Sequence, residues 1–91
     1  MDAVKLDAVA KQIKKLPQYV KDKLLAWVKS VEEQGIRETR KIKGYHDEPL
    51  KGKRVGQRSV RLTKHYRAIY REERGGTVNL IIVEEVNKHE Y

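Results

Sequence analysis

The chain has 91 residues, enough for one compact domain and too few for two, so residues 1–91 are read as a single unit. Charged residues (37%) nearly equal apolar ones (38%), which makes the core thin but keeps the chain globular rather than disordered. A net charge of +8 points to an anionic partner, and the absence of cysteine excludes a disulfide scaffold and any thiolate metal site.

In chain order, Val4–Leu6 reads as a short first strand. Asp7 is suited to cap a helix running to about Lys15, with Val9, Ile13 and Leu16 on one face. Pro17 opens a second helix, where its missing N–H costs nothing. Val20, Leu24, Trp27, Val28 and Val31 then recur at the helical period, and Gly35 is a natural stop. The lone Trp27 lies on this stripe and reads as core, not as a platform for a base. Residues 36–56 read as loop, broken by Gly44, Pro49, Gly52 and Gly56. Three strand-like segments follow, at 58–62, 66–72 and 77–86, joined by connections short enough for hairpins at 63–65 and 73–76. The expected class is α+β, an N-terminal helical hairpin packed on a twisted antiparallel sheet.

The charge is localised. Residues 51–71 carry 8 basic and 0 acidic side chains, whereas the rest of the chain carries 13 of each. So segregated a patch is the footprint of a polyanion binder, with a solvated basic face as the plainer reading. Strand alternation places the charges. If Val60 and Leu62 face the helices, Ser59 and Arg61 face away. In the next strand, turning Tyr66, Ala68 and Tyr70 to the helices sends Arg67 and Arg71 to join Arg61 on the open face. Ile69 goes with them, and alternation alone gives no reason for an isoleucine there.

An RNA phosphodiester suits this inventory. Its own 2′-OH can attack the adjacent phosphorus, so neither a metal nor a protein nucleophile is required. The protein must supply a base for the 2′-OH, positive charge for the phosphorane and an acid for the 5′-oxygen. Glu48 and His46 lie in the loop, Arg61 and Arg67 on the sheet with Lys51 and Lys53 beside it, and His89 and Tyr91 near the C-terminus. Each has a plainer reading: Glu48 as a turn carboxylate, His46 and His65 as surface histidines, Tyr66 and Tyr70 as sheet packing, Tyr91 as a frayed end. Three scattered histidines offer no ligand spacing and no glycine motif cradles phosphate, so no metal and no cofactor is expected. No apolar run could span a bilayer and the N-terminus lacks the apolar core of a signal peptide, so no membrane partner is expected and the cytoplasm is the expected location.

The block "EPLKGKRVGQRSVRLTKHYRAIY", followed by an acidic-apolar strand and "NKHEY", resembles the RelE/ParE superfamily of bacterial toxins, and within it the RelE/YoeB mRNA interferases. The preceding "KQIKKLPQYVKDKLLAWV" is similar to their helical hairpin. The resemblance implies metal-independent cleavage of mRNA in the ribosomal A site, with contacts to 16S rRNA, and a cognate antitoxin as partner. It implies Glu48 as general base, Arg67 as the phosphate-stabilising arginine, Arg61 where RelE-type toxins place a lysine, and His89 and Tyr91 as the C-terminal pair. In YoeB that pair is adjacent, whereas Glu90 separates it here, so the proton donor stays open between His89, Tyr91 and the Lys/Arg set. Lys51, Lys53, Arg54, Arg58 and Lys64 are expected to grip the RNA backbone. Two other functions fit less of the pattern: a ParE-like gyrase inhibitor, which needs no acid–base set, and a non-catalytic nucleic-acid-binding module.

Overall fold

The computed structural model describes residues 1–88. The chain runs through β1 (Asp2–Lys5), α1 (Ala10–Lys15), α2 (Gln18–Gln34), α3 (Ile36–Arg40), β2 (Glu48–Pro49), β3 (Gln57–Arg61), β4 (Tyr66–Gly75) and β5 (Val78–Lys88). Single 3₁₀ turns stand at Asp7–Val9, Lys43–Tyr45 and Gly52–Arg54. Asp7 begins the first of these turns and makes no capping bond with its side chain, contrary to the expected N-cap.

The long helix follows from its sequence. Pro17 precedes α2, and its carbonyl accepts the N–H groups of Val20 and Lys21 at 3.0 and 3.1 Å. Val20, Leu24, Trp27 and Val31 are buried along one face. Gly35 ends the helix at φ 89°, a backbone conformation that L side chains rarely adopt. The expectation of loop over residues 36–56 is corrected here, because α3 starts directly after Gly35. Its first N–H, on Ile36, is satisfied by the Asp2 carboxylate at 2.7 Å. The capping group therefore comes from a residue 34 positions away, out of reach of local pattern reading. Ile36 and Thr39 are both buried, and the Thr39 hydroxyl lies 2.8 Å from that of Ser30 on α2.

The sheet has the order β1-β5-β4-β3-β2. The β2–β3, β3–β4 and β4–β5 pairs are antiparallel, as the hairpin reading expects. β1 pairs parallel to β5, with Val4 opposite Ile81, so the sheet is mixed rather than wholly antiparallel. The helices cover one face. Their stripe meets Val60, Leu62, Ala68, Tyr70, Ile81, Val83 and Val86, and the Trp27 and Tyr70 rings pack with centroids 5.3 Å apart.

The expected phase of β4 holds: Ala68 and Tyr70 belong to the helix-side core. Ile69 is fully buried yet does not belong to that core. It stands in register between Ser59 on β3 and Glu85 on β5. The ion pair from Arg54, ahead of β3, to Glu85 crosses β4 at this level, which explains an isoleucine on the open face. The β4–β5 register shifts between Ile69 and Tyr70, leaving Glu84 as the extra residue of a bulge.

Candidate functional site

At the β2–β3–β4 end of the open face lies a cavity of about 310 Å³, lined by His46, Glu48, Ser59, Arg61, Thr63, Lys64, Tyr66 and Arg67. Each lining residue except His46, which follows the Lys43–Tyr45 turn, is placed by the ladder or the hairpin. Glu48 pairs with Ser59, and Arg61 pairs with Arg67. Glu48 is thus diagonal to Arg61 across one strand pair, about 7–8 Å backbone to backbone by ordinary sheet geometry. Thr63 shapes the hairpin: its hydroxyl accepts the N–H groups of His65 and Tyr66 at 3.3 and 3.2 Å. That turn carries Lys64 to the rim. Tyr66 closes one side with its ring edge-on to Tyr19, centroids 6.5 Å apart.

Two arginines directly opposite on one sheet face repel each other and lower stability unless an anion lies between them. The Nε of Arg67 is buried with no hydrogen-bond partner among the described residues. A buried donor without a partner is costly in a native structure and marks where an acceptor would bind. Arg67, Lys51 and Lys53 make no ion pair with any described residue. Lys51 and Lys53 flank and enter the exposed 3₁₀ turn ahead of β3, outside the cavity lining.

The remaining expected RNA contacts are placed differently. Arg58 lies on the helix side of β3, where its Nε donates to Asp47 at 2.5 Å. Arg54 is paired with Glu85, and its Nε donates to Gln57 at 2.7 Å. Arg71 is held by Glu73 at 2.8 Å and by the bulge residue Glu84 at 3.4 Å. The run of eight basic residues is thus divided by the sheet: three are neutralised by acids, while Arg61, Lys64 and Arg67 line the cavity. His89 and Tyr91 lie outside the described residues.

Beneath the sheet the charges are enclosed. Asp47 has a side chain 1% exposed and accepts the Tyr70 hydroxyl at 2.5 Å as well as Arg58. Arg40 on α3 approaches Asp47 at 3.6 Å and is ion-paired with Glu72, to which Asn79 also donates. Burial, reinforced by the Asp47 charge, pushes the Tyr70 hydroxyl well above the usual tyrosine range, so it remains a donor. Burial opposes ionisation of Glu72, but the hydrogen bonds from Arg40 and Asn79 together with the Arg40 and Arg74 charges outweigh it and hold the carboxyl below its ordinary value. Sequence reasoning weighed His46 without selecting it, set Ser59 on the open face without giving it a role, and passed over Asp47 and Thr63. The adjacency of "HDEP" was the signal present, since alternating residues beside Glu48 had to include one inward-facing acid.

No model of a protein family matches this chain, and no curated protein resembles it in sequence. Solved structures do resemble it. A YoeB/ParE toxin from Agrobacterium tumefaciens superposes with a TM-score of 0.68 at 19% identity, covering 98% of each chain. The YoeB–YefM complex from Staphylococcus aureus gives 0.66 at 18%, covering 100% of this chain and 97% of that one. The toxin–antitoxin complex RelBE2 from Mycobacterium tuberculosis gives 0.65 at 17%, covering 98% and 96%. Along nearly its whole length, the chain has the fold of the YoeB- and RelE-type toxins.

Proposed function

We propose that this chain is the toxin of a type II toxin–antitoxin pair and that it cleaves mRNA without a metal, on the ribosome. The observation that carries the reading is the juxtaposition of Glu48 with the opposed Arg61–Arg67 pair in one cavity, with the Arg67 Nε lacking an acceptor among the described residues. The backbone phosphate of RNA supplies the acceptor that this donor lacks. Glu48 removes the proton from the 2′-OH, and the resulting alkoxide attacks phosphorus. Arg61 and Arg67 stabilise the charge that accumulates on the phosphorane oxygens. The bond to the 5′-oxygen breaks, and that oxygen takes a proton from His89, Tyr91 or a cation of the site. The products are a 2′,3′-cyclic phosphate and a 5′-hydroxyl. Lys51, Lys53 and Lys64 steer and hold the mRNA and the 16S rRNA backbone. Two of the similar structures are toxin–antitoxin complexes, which supports a protein antitoxin as the second partner. The cytoplasm, where translation proceeds, is the place of action.

Inducing the chain in a bacterium and running primer extension on an abundant mRNA tests the reading. Growth arrest with discrete in-frame cuts, lost in Arg67→Ala, is expected. Arrest with intact mRNA would overturn the nuclease and direct attention to DNA gyrase, to be followed by supercoiling assays. No arrest with salt-sensitive RNA binding would leave a binding module.

A further inference from the structure

β2 is two residues long, and its second residue, Pro49, has no N–H to give to the ladder. Beyond it, the Leu50 N–H donates to the Gln57 carbonyl at 2.9 Å. Backbone pairing is therefore a slender hold on the segment that carries Glu48. His46, two residues earlier, sits in the left-handed region at φ 43° and ψ 46°, which non-glycine residues seldom adopt and which persists only where surroundings fix it.

Asp47 supplies the fixing. Its buried carboxylate is held from three elements: Arg58 on β3, Tyr70 on β4 and Arg40 on α3. Those groups are themselves pinned, Tyr70 against Trp27 and Arg40 by Glu72. Alternation into β2 sends Glu48 to the side opposite Asp47, and the left-handed turn at His46 brings that side chain to the same side. With Asp47 drawn under the sheet, its neighbours His46 and Glu48 both enter the cavity on the open face.

We propose that Asp47 is a positioning residue: anchored beneath the sheet by Arg58, Tyr70 and Arg40, it holds His46 and Glu48 at a fixed distance from Arg61 and Arg67. The proposal rests on the reading of Glu48 as base. It separates Asp47 from a merely structural counter-ion, whose loss would lower stability without altering the turnover of folded protein.

The test uses Asp47→Asn and Tyr70→Phe, the second keeping the ring against Trp27 and removing one anchoring bond. Cleavage of mRNA on programmed ribosomes is measured at saturating and limiting protein. The His46 Cε1–H resonance is followed by NMR, with His65 as internal control. For Asp47→Asn a loss of about 10–100-fold in the saturated rate is expected, since a displacement of about 1 Å can cost that much. The half-saturating concentration should change less than about threefold, because the cations that bind RNA are untouched. Tyr70→Phe should give a smaller loss in the same direction, and in both variants the His46 resonance should shift or broaden while that of His65 does not. Wild-type saturated rates with an unmoved His46 resonance would overturn the proposal. If Asp47→Asn does not fold, Tyr70→Phe decides alone on the same readouts. If wild-type protein cleaves nothing, the proposed function fails, and the His46 resonance alone decides the anchor.

Discussion

The two faces of the sheet use the same side chain in opposite ways. On the helix side, Arg58 and Arg40 meet Asp47 and Glu72, each charge being answered by another within a shielded network. On the open side, Arg61 and Arg67 face each other, and the Nε of Arg67 has no acceptor among the described residues. Arg58 and Arg61 are three residues apart on one strand, so an odd step along β3 is all that separates an arginine held beneath the sheet from one that lines the open-face cavity. A count of charges along the chain cannot see this difference; the register can.

That contrast can be broken most severely at Glu48, the base of the proposed mechanism. Glu48→Gln should lower mRNA cleavage by about 10²–10⁴-fold, the usual worth of a general base, with the thermal midpoint unchanged because Glu48 is exposed. Primer extension with quantified cut sites and a melting curve would check both halves. Arg67→Ala should cost about 10²–10³-fold in the same assay, as for removal of one oxyanion donor. Removing one of two opposed cations should leave stability equal or slightly higher. A fall in melting temperature as large as that of Arg58→Ala would refute the division between the faces.

Arg58→Ala should do the reverse. It leaves Asp47 short of one partner, and a loss of about 1–3 kcal/mol by denaturant unfolding is expected, below the range for a fully buried pair because Arg58 is 25% exposed. RNA affinity of the folded variant should fall far less than with Lys51→Ala or Lys53→Ala. Each of those lysine variants should reduce the slope of log affinity against log salt by about 0.7, as for one phosphate contact to a single strand. The smallest expected effect is acidic. The Glu72 carboxyl is held below its ordinary value, so its contribution to stability is full above about pH 4.5 and is lost as pH falls through the lowered native value. Glu72→Gln should flatten that part of a stability–pH curve and leave the neutral region sloped as before.

What could be read in advance was what depends on near neighbours. The stripe on α2 and the alternation in β3 and β4 are local periodicities, and they placed Trp27 in the core and Arg61 and Arg67 on one open face. α3 escaped because its first N–H is capped by Asp2, and β1 joined the sheet in parallel through a pairing that no local pattern encodes. Arg58 and Arg54 were grouped by resemblance with the cations expected to grip RNA, and the acids that pair with them, Asp47 and Glu85, lie 11 and 31 residues away. Ile69 was legible as an anomaly and explicable only once the Arg54–Glu85 pair was seen to cross above it.

The pairing of β1 with β5 also sets a clock. Asp2 meets Asn79 in the sheet and caps α3, so the first strand lacks its partner until the last strand has been made. At bacterial and eukaryotic elongation rates of about 5–20 residues per second, the 77 positions between them correspond to roughly 4–15 s of synthesis. Throughout that interval Asp2–Lys5 lacks the strand with which it pairs, and β3 and β4 are made only in its last part. The sheet is thus completed by the pairing of β1 with the strand that is made last among those described.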